Sequence, residues 1–258
     1  MIYLTNWKTV VYTSDKDKLF YSKLDDAVSL CLTRQRPYFF SFLSERRQVL
    51  AESYLKSVYF ENYSFFGGYE NSERKVLGLF FDEPDNNFPI SALEFIFRSC
   101  DKLTHRDFLG ALMSLGIERE TVGDILVEDG RCVVFVKSEL KDYIVSQIFK
   151  IGNVGINIKD ADICRLPKGR GFEEISYTVS SLRLDNITAA LAGFSREKTK
   201  NLILAGNVSL NFLLCQNVSR LVRENDTLTI RGKGKYILKS VLGETKKGRI
   251  RISVIHYR

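Results

Sequence analysis

The residues best suited to chemistry form a glycine-spaced basic run near the end of the chain. Arg231, Lys233 and Lys235 alternate with two glycines, and a second basic turn at residues 246–249 is expected to extend the same patch. Lysine and arginine bind phosphate groups, and glycine lets a backbone approach a ligand closely. The run lacks the glycine spacing and the Lys-Ser/Thr ending of a nucleotide-binding P-loop. It therefore predicts binding to a polyanion rather than to a nucleoside triphosphate.

Positive charge is concentrated in the last 77 residues of the chain. They contain fifteen Lys and Arg residues against five Asp and Glu residues, a net charge of +10, whereas the whole chain carries +7. Clustered cations bind nucleic acids largely by displacing counterions from phosphates. We therefore expect a nucleic acid as the main partner of this segment, and a merely solvated charged surface is the alternative.

Two short helices are expected to position further cations ahead of the basic run. Hydrophobic spacing predicts helices at residues 185–194 and 196–204, the second capped by Ser195. Arg196 and Lys200 are four positions apart and therefore share one helix face. The predicted RNA-binding residues are Arg183, Arg196, Lys198, Lys200, Arg231, Lys233, Lys235, Lys246, Lys247 and Arg249.

The rest of this C-terminal segment is predicted to form a small sheet that packs with the two helices. Leu202 and Ile203 are expected to face the first helix and to pack in the core. Strands are expected at residues 208–211, 227–231, 236–238 and 250–255.

Residues 90–159 alternate between strand and helix patterns. The expected order is strand, helix, strand, strand, helix, strand, with a hairpin turn at Glu128–Gly130. This is the split βαβ order of ferredoxin-like and RNA-recognition folds. The third strand, Cys132–Val136, lacks the glycine and paired surface aromatics of an RNA-stacking motif. We therefore do not expect this domain to stack bases on its sheet.

His105 and Arg106, at the start of the first helix of that domain, are candidates for a second contact site. Thr104 and Asp107 are predicted to cap this helix. The His-Arg-Asp sequence superficially resembles a kinase catalytic loop, but the Asn that should follow is missing. Packing and RNA contact both stay open as roles for His105 and Arg106.

The predicted fold class is α+β, in three parts. A helical N-terminal segment spans residues 1–60, with Pro37 between two helices and the aromatic cluster at 38–42 in the core. A ferredoxin-like or RNA-recognition-like domain follows at 61–175, starting with short strands near 63–69 and 75–81. The basic linker at 165–171 then leads to a C-terminal RNA-binding domain at 176–258.

Several classes of protein and site are not supported. The five cysteines are widely spaced and form no Cys-x-x-Cys pair, so we expect reduced thiols, no metal site and no cofactor. The chain has no apolar run long enough to cross a membrane, and its first eight residues lack the order of a signal peptide. A cytoplasmic protein is therefore expected.

Five stretches of the C-terminal segment resemble the small RNA-binding domain named after ribosomal protein S-four. These are Ser181–Asp185, Ser195–Lys200, Leu202–Ile203, Gly206–Asn211 and Glu224–Asp226. Stretches upstream resemble the YlmH family of bacterial S-four-domain proteins, often encoded near cell-division genes: Phe65–Glu70, Glu73–Lys75, Leu103–Met113, Leu115–Ile117, Arg119 and Gly123–Leu126. The resemblance extends from about Asp15 to the C-terminus.

This resemblance implies a monomeric RNA-binding protein that docks on structured RNA by shape and phosphate contacts. The implied partners are ribosomal RNA and tRNA on the large ribosomal subunit, in translation or ribosome quality control, without catalysis. Two residues depart from the family pattern: Phe212 stands where a tryptophan is expected, and Lys235 where an arginine is expected. Both substitutions preserve ring character or charge.

Two other functional classes are alternatives. An RNA-modifying enzyme of the pseudouridine-synthase type also carries an S-four domain, but it needs a catalytic Asp in a characteristic strand-loop setting, and no acidic residue here is recognisably placed so. A cell-division-linked protein-interaction factor would use the apolar N-terminal segment as its contact surface.

Overall fold

The computed structural model describes residues 15–168 and 171–257. The chain forms two compact units, Met1–Gly169 and Arg170–Arg258. The signal-peptide expectation, which rests on the first eight residues, and part of the predicted linker lie outside the described residues. Among the described helices, none has both the length and the apolar character that a membrane span requires.

The first unit begins with a layer of two helices and a three-stranded antiparallel sheet. Its elements are α1 (Asp15–Arg34), β1 (Tyr38–Leu43), α2 (Glu45–Ser57), β2 (Tyr63–Phe66) and β3 (Lys75–Leu79). The strand order is β1-β3-β2. The two expected short strands are thus present as β2 and β3.

The N-terminal segment is not purely helical, because its aromatic cluster forms strand β1. Aromatic side chains favour the pleated, half-buried surface of a sheet, and Pro37 already ends the preceding helical pattern. Phe42 is buried, as expected for a core residue. The three-stranded sheet combines β1, which precedes residue 60 in the sequence, with β2 and β3, which follow it. A domain boundary at that residue stays a prediction.

A four-stranded antiparallel sheet follows in the same unit. Its elements are β4 (Ile90–Ile96), α3 (His105–Ser114), β5 (Val122–Glu128), β6 (Arg131–Lys137), α4 (Lys141–Gln147), a small hairpin of β7 (Lys150–Ile151) and β8 (Val154–Gly155), and β9 (Asn157–Asp160). The strand order is β5-β6-β4-β9. Element order and strand order together match the expected split βαβ arrangement.

Both faces of this four-stranded sheet are covered. One face packs against α3 and α4, through buried residues such as Phe95 and Phe108, whose rings lie 5.7 Å apart. On the other face, Phe135 is fully buried in a cluster with Phe42, and its ring stacks on Tyr69 at 5.0 Å. Phe135 is therefore inaccessible to RNA bases, in agreement with the sequence-based expectation.

A buried carboxylate joins the N-terminal layer to the four-stranded sheet. Asp124 on β5 is 9% exposed and accepts a hydrogen bond from the Tyr69 hydroxyl at 2.8 Å. It also accepts the backbone N–H groups of Glu73 at 2.7 Å and Arg74 at 3.0 Å. One carboxylate thus satisfies three donors of the loop between β2 and β3, which would otherwise be costly to bury.

Arg74, in the same loop, adds side-chain hydrogen bonds to this junction. Its guanidinium donates to the carbonyl oxygens of Val122 and Phe42, both at 3.0 Å, and to that of Arg119 at 3.3 Å. Burial, together with the neighbouring Arg119 charge, lowers the pKa of Arg74 to about 10. Gly68, in the same loop, has a φ of +99°, and a Cβ there would collide with the Phe135 ring.

The second unit contains a six-stranded antiparallel sheet and two helices. Its elements are β10 (Phe172–Val179), α5 (Leu184–Ala192), α6 (Arg196–Leu204), β11 (Val208–Leu210), β12 (Leu213–Leu214), β13 (Thr227–Ile230), β14 (Gly234–Glu244) and β15 (Ile250–Tyr257). The strand order is β10-β15-β14-β13-β11-β12. Strand β10 and the second half of β14 were not expected from the sequence.

The core of the second unit lies on one face of its sheet. Tyr236 and Leu238 of β14 are buried with Leu184 and Ile187 of α5. On α6, Ile203 is fully buried, whereas Leu202 is only partly buried against the same core. The expected inward orientation of both residues therefore holds in full only for Ile203.

We predict that Asp124→Asn lowers the free energy of unfolding by about 3 kcal/mol, because an NH2 group replaces one of the two carboxylate oxygens and cannot accept a hydrogen bond from the buried donors that face it. Asp129→Asn is the matched control, since Asp129 lies on the same hairpin with its side chain 75% exposed. The control is expected to change stability by no more than about 0.5 kcal/mol. Urea denaturation measures both, and equal losses would contradict the proposed role of Asp124.

Candidate nucleic-acid interface

Phe194, in the connection between α5 and α6, gathers two lysines from distant parts of the chain. The Nζ atom of Lys198 lies 4.0 Å from the centre of the Phe194 ring, and that of Lys233 lies 4.9 Å from it. Cations over an aromatic face are attracted by its quadrupole. The ring therefore brings α6 and the turn between β13 and β14 to one place on the surface.

The first turn of α6 adds cations and backbone donors to this place. Ser195 caps the helix, as expected, with its hydroxyl accepting the Lys198 N–H at 3.3 Å. Arg196, Lys198 and Lys200 are exposed. Their charges and the positive end of the helix dipole favour an anion at this end of α6.

The turn between β13 and β14 is hydrogen-bonded to Asn207, which follows the C-terminal end of α6. The backbone N–H of Arg231 donates to the Asn207 carbonyl at 3.0 Å, and its guanidinium reaches the Asn207 side-chain oxygen at 3.4 Å. Gly234 has a φ of +112°, and a Cβ there would lie 3.0 Å from Nε2 of His256. This backbone conformation and the short distance require glycine at 234. The Tyr236 hydroxyl also stabilises the turn, because it donates to the Lys233 carbonyl at 3.0 Å.

We call the residues assembled here the Phe194 group. It consists of Phe194, Arg196, Lys198, Lys200, Arg231 and Lys233. Five of the predicted binding residues thus belong to α6 and the β13–β14 turn, the two elements whose lysines meet at the Phe194 ring.

The second basic turn does not extend this patch. Lys246, Lys247 and Arg249 are exposed in or beside the turn between β14 and β15. Strand β14 is 11 residues long, so its two ends are separated by roughly 30 Å at about 3.3 Å per residue. The expectation of one continuous patch was wrong because the second half of β14 was not recognised. We call Lys246, Lys247 and Arg249 the distal group.

Arg183 lies in the segment that follows β10, and its charge is largely engaged. The last residue of β10, Val179, pairs with Ile250, at the end of the sheet that carries the distal group. The Arg183 guanidinium contacts the Asp185 carboxylate at 2.8 and 3.1 Å. Hydrogen bonding from Arg183 lowers the pKa of Asp185. Arg183 is therefore a weaker candidate for phosphate binding than the Phe194 group.

His105 and Arg106 occupy the first turn of α3, as expected. Asp107 accepts hydrogen bonds from the hydroxyl and the backbone N–H of Thr104, both at 2.7 Å, which confirms the predicted capping contact. These hydrogen bonds lower the pKa of Asp107. Arg106 is exposed and His105 is half-buried. A contact role for the two residues stays a prediction.

Sequence reasoning missed the aromatic residues of the candidate interface. Phe194 was predicted only as the last residue of the helix at 185–194, although its position beside the Ser195 cap of a basic helix was a usable signal. Tyr257 was also missed, and Phe212 was singled out only as a departure from the family pattern. The rings of Phe212 and Tyr257 lie near the ammonium group of Lys235, at 5.5 and 5.1 Å from ring centre to Nζ. Their proximity depends on pairing between distant strands.

Comparison with known proteins identifies the family. Residues 85–165 match the family model described as "Putative RNA-binding domain in YlmH". The chain is 32% identical over 219 residues to "Ribosome-associated protein quality control protein P2" of Bacillus subtilis strain 168, covering 82% of this chain and 84% of that protein. The chain belongs to the YlmH family.

A solved structure supports the fold of part of the chain. "Cell division protein ylmH from Streptococcus pneumoniae" superposes with a TM-score of 0.52 at 21% identity, over 59% of this chain and 95% of that one. The region matched by the family model contains the whole of the four-stranded sheet with α3 and α4.

We predict that Arg196→Ala combined with Lys200→Ala weakens RNA binding while leaving thermal stability nearly unchanged, because both side chains are exposed. Ile203→Ala should instead lower the free energy of unfolding by about 2 to 5 kcal/mol, because Ile203 is fully buried. Thermal denaturation and RNA titration of both variants check this. Equal destabilisation by the two changes would show that the faces of α6 are misassigned.

A second prediction separates the two basic groups. Lys198→Ala with Lys233→Ala should lower RNA affinity and reduce the slope of log affinity against log salt by roughly 1 to 2, since about 0.9 is lost for each phosphate contact to a duplex. Lys246→Ala with Lys247→Ala removes the same charge from the distal group and serves as the control. The prediction is wrong if the control changes the slope as much as the first variant does.

Proposed function

We propose that this protein binds structured RNA on the ribosome through its C-terminal unit. The observation that carries the proposal is the Phe194 group, where an aromatic ring holds cations from α6 and from the β13–β14 turn together. Two short cationic elements side by side suit the phosphate backbone of a folded RNA helix, whose groove shape and phosphates are the features that proteins contact. The net charge of +10 in the last 77 residues supports the same partner.

We further propose that the C-terminal unit is an S-four-type domain and that its RNA is ribosomal RNA on the large subunit, with tRNA as a neighbouring ligand. The relative from Bacillus subtilis, named as a ribosome-associated quality control protein, supports a ribosomal partner and a role in that process. The family resemblance of the sequence supports the large subunit. The proposed activity is docking, with no catalytic step.

The four-stranded domain would contribute a second contact without using its sheet. The family model that matches it is described as RNA-binding, yet Phe135 on one sheet face is fully buried and the other face carries α3 and α4. We therefore propose that contacts from this domain involve the start of α3, where Arg106 is exposed beside His105.

Sedimentation on ribosome gradients tests the proposal. Tagged full-length protein is expected to sediment with large subunits at low salt, and a variant lacking residues 171–258 should stay at the top of the gradient. His105→Ala with Arg106→Ala is the comparison variant, since it should still sediment with subunits while losing contacts of the middle domain. Full-length protein that remains at the top of a low-salt gradient would refute a ribosomal function.

A further inference from the structure

The face of the six-stranded sheet opposite the helices carries aromatic residues at one end. On β14 and β15, Tyr236 and Val254 point into the core with α5, so the alternating positions Lys235 and Tyr257 lie on the opposite face. Phe172 of β10 pairs with Tyr257 and belongs to that face as well. Phe172 is 64% exposed.

These side chains form one continuous surface with a cation in it. The rings of Phe172 and Tyr257 are 6.3 Å apart at 51°. The Nζ atom of Lys235 lies 5.1 Å from the Tyr257 ring centre and 5.5 Å from that of Phe212. Phe172, Phe212, Tyr257 and Lys235 therefore make up what we call the aromatic end of the sheet.

Charge at the aromatic end favours an anionic ligand. Glu174, the acidic residue of β10 on this face, is bound by Nζ of Lys239 and by the Ser253 hydroxyl, both at 2.6 Å. Lys239 thus offsets the charge of Glu174. Lys235 is two positions from Lys233, so the aromatic end is adjacent to the Phe194 group across the β13–β14 turn.

We propose that the aromatic end is a binding site for unpaired RNA nucleotides. Phe172 is exposed, and Phe212 and Tyr257 are half-buried. Accessible rings beside a cation are the arrangement that proteins use for single strands, because bases stack on the rings and the cation contacts phosphate. The inference rests on the proposed function, since it assigns a second kind of contact to the same RNA. The Phe194 group binds the helical part, and the aromatic end binds the nucleotides that continue from it.

Binding of two RNA hairpins to the full-length protein tests this site. One hairpin is blunt, and the other carries an unpaired uridine tail of about five nucleotides, within the usual site size for single strands. Wild-type protein should prefer the tailed hairpin. Phe172→Ala with Tyr257→Ala should weaken binding to the tailed hairpin by about 5- to 150-fold for each base that loses its stacking partner, without changing affinity for the blunt hairpin.

Two control variants make the readout specific. Phe149→Ala removes a phenylalanine that is 70% exposed in the first unit and should leave both affinities unchanged. Tyr257→Phe keeps the ring and should retain the preference for the tail.

The lysine of the aromatic end has a test of its own. Lys235→Gln should reduce the salt dependence of tail binding. The double ring variant should not, because stacking releases no counterions.

Each outcome decides a different point. Binding to the blunt hairpin without any preference for the tail overturns the aromatic end alone, whereas failure to bind either hairpin overturns the proposed function. If the double ring variant loses both RNAs and also unfolds at lower temperature, the rings serve packing within the protein and the inference is wrong. Crosslinks from a 4-thiouridine tail to Phe212 or Tyr257, mapped by mass spectrometry, are expected if it is right.

Discussion

The architecture of the first unit depends on one buried carboxylate. Asp124 lies on a strand of the four-stranded sheet, yet the three donors described above, from Tyr69, Glu73 and Arg74, belong to the loop that joins two strands of the N-terminal layer. A charged acceptor in a water-poor place gains most from several donors at once, and it is costly when they are missing. The three hydrogen bonds fix the position of the loop, and its residue Tyr69 stacks on the ring of Phe135.

The four-stranded and the six-stranded sheets differ in which of their faces are covered. In the first unit, the N-terminal layer covers the sheet face that RNA-recognition domains use for bases, so Phe135 serves the core. In the second unit, the helices cover one face only, and aromatic residues remain at the surface of the other. Identical residue types thus have different roles because of what packs on them.

Local signals in the sequence predicted much of this structure, and long-range pairing limited the rest. The caps of α3 and α6 and the split βαβ order follow from residues close together in the chain, and they were expected correctly. Strand β10 was missed, although Ile175, Tyr177 and Val179 alternate with polar residues in the pattern that predicts a strand. The two basic groups were merged because nothing local reveals how far β14 continues.

The position of β15 between β10 and β14 has a consequence for how the protein is made. Strand β10 pairs with residues 71 to 85 positions later in the chain, from Val179 with Ile250 to Phe172 with Tyr257. During translation β10 emerges well before this partner, and such non-local pairing is slow to form. A nascent chain interrupted before Ile250 would therefore hold an unpaired, aggregation-prone strand edge. Only a chain translated past that point closes the sheet that carries the proposed RNA-binding residues.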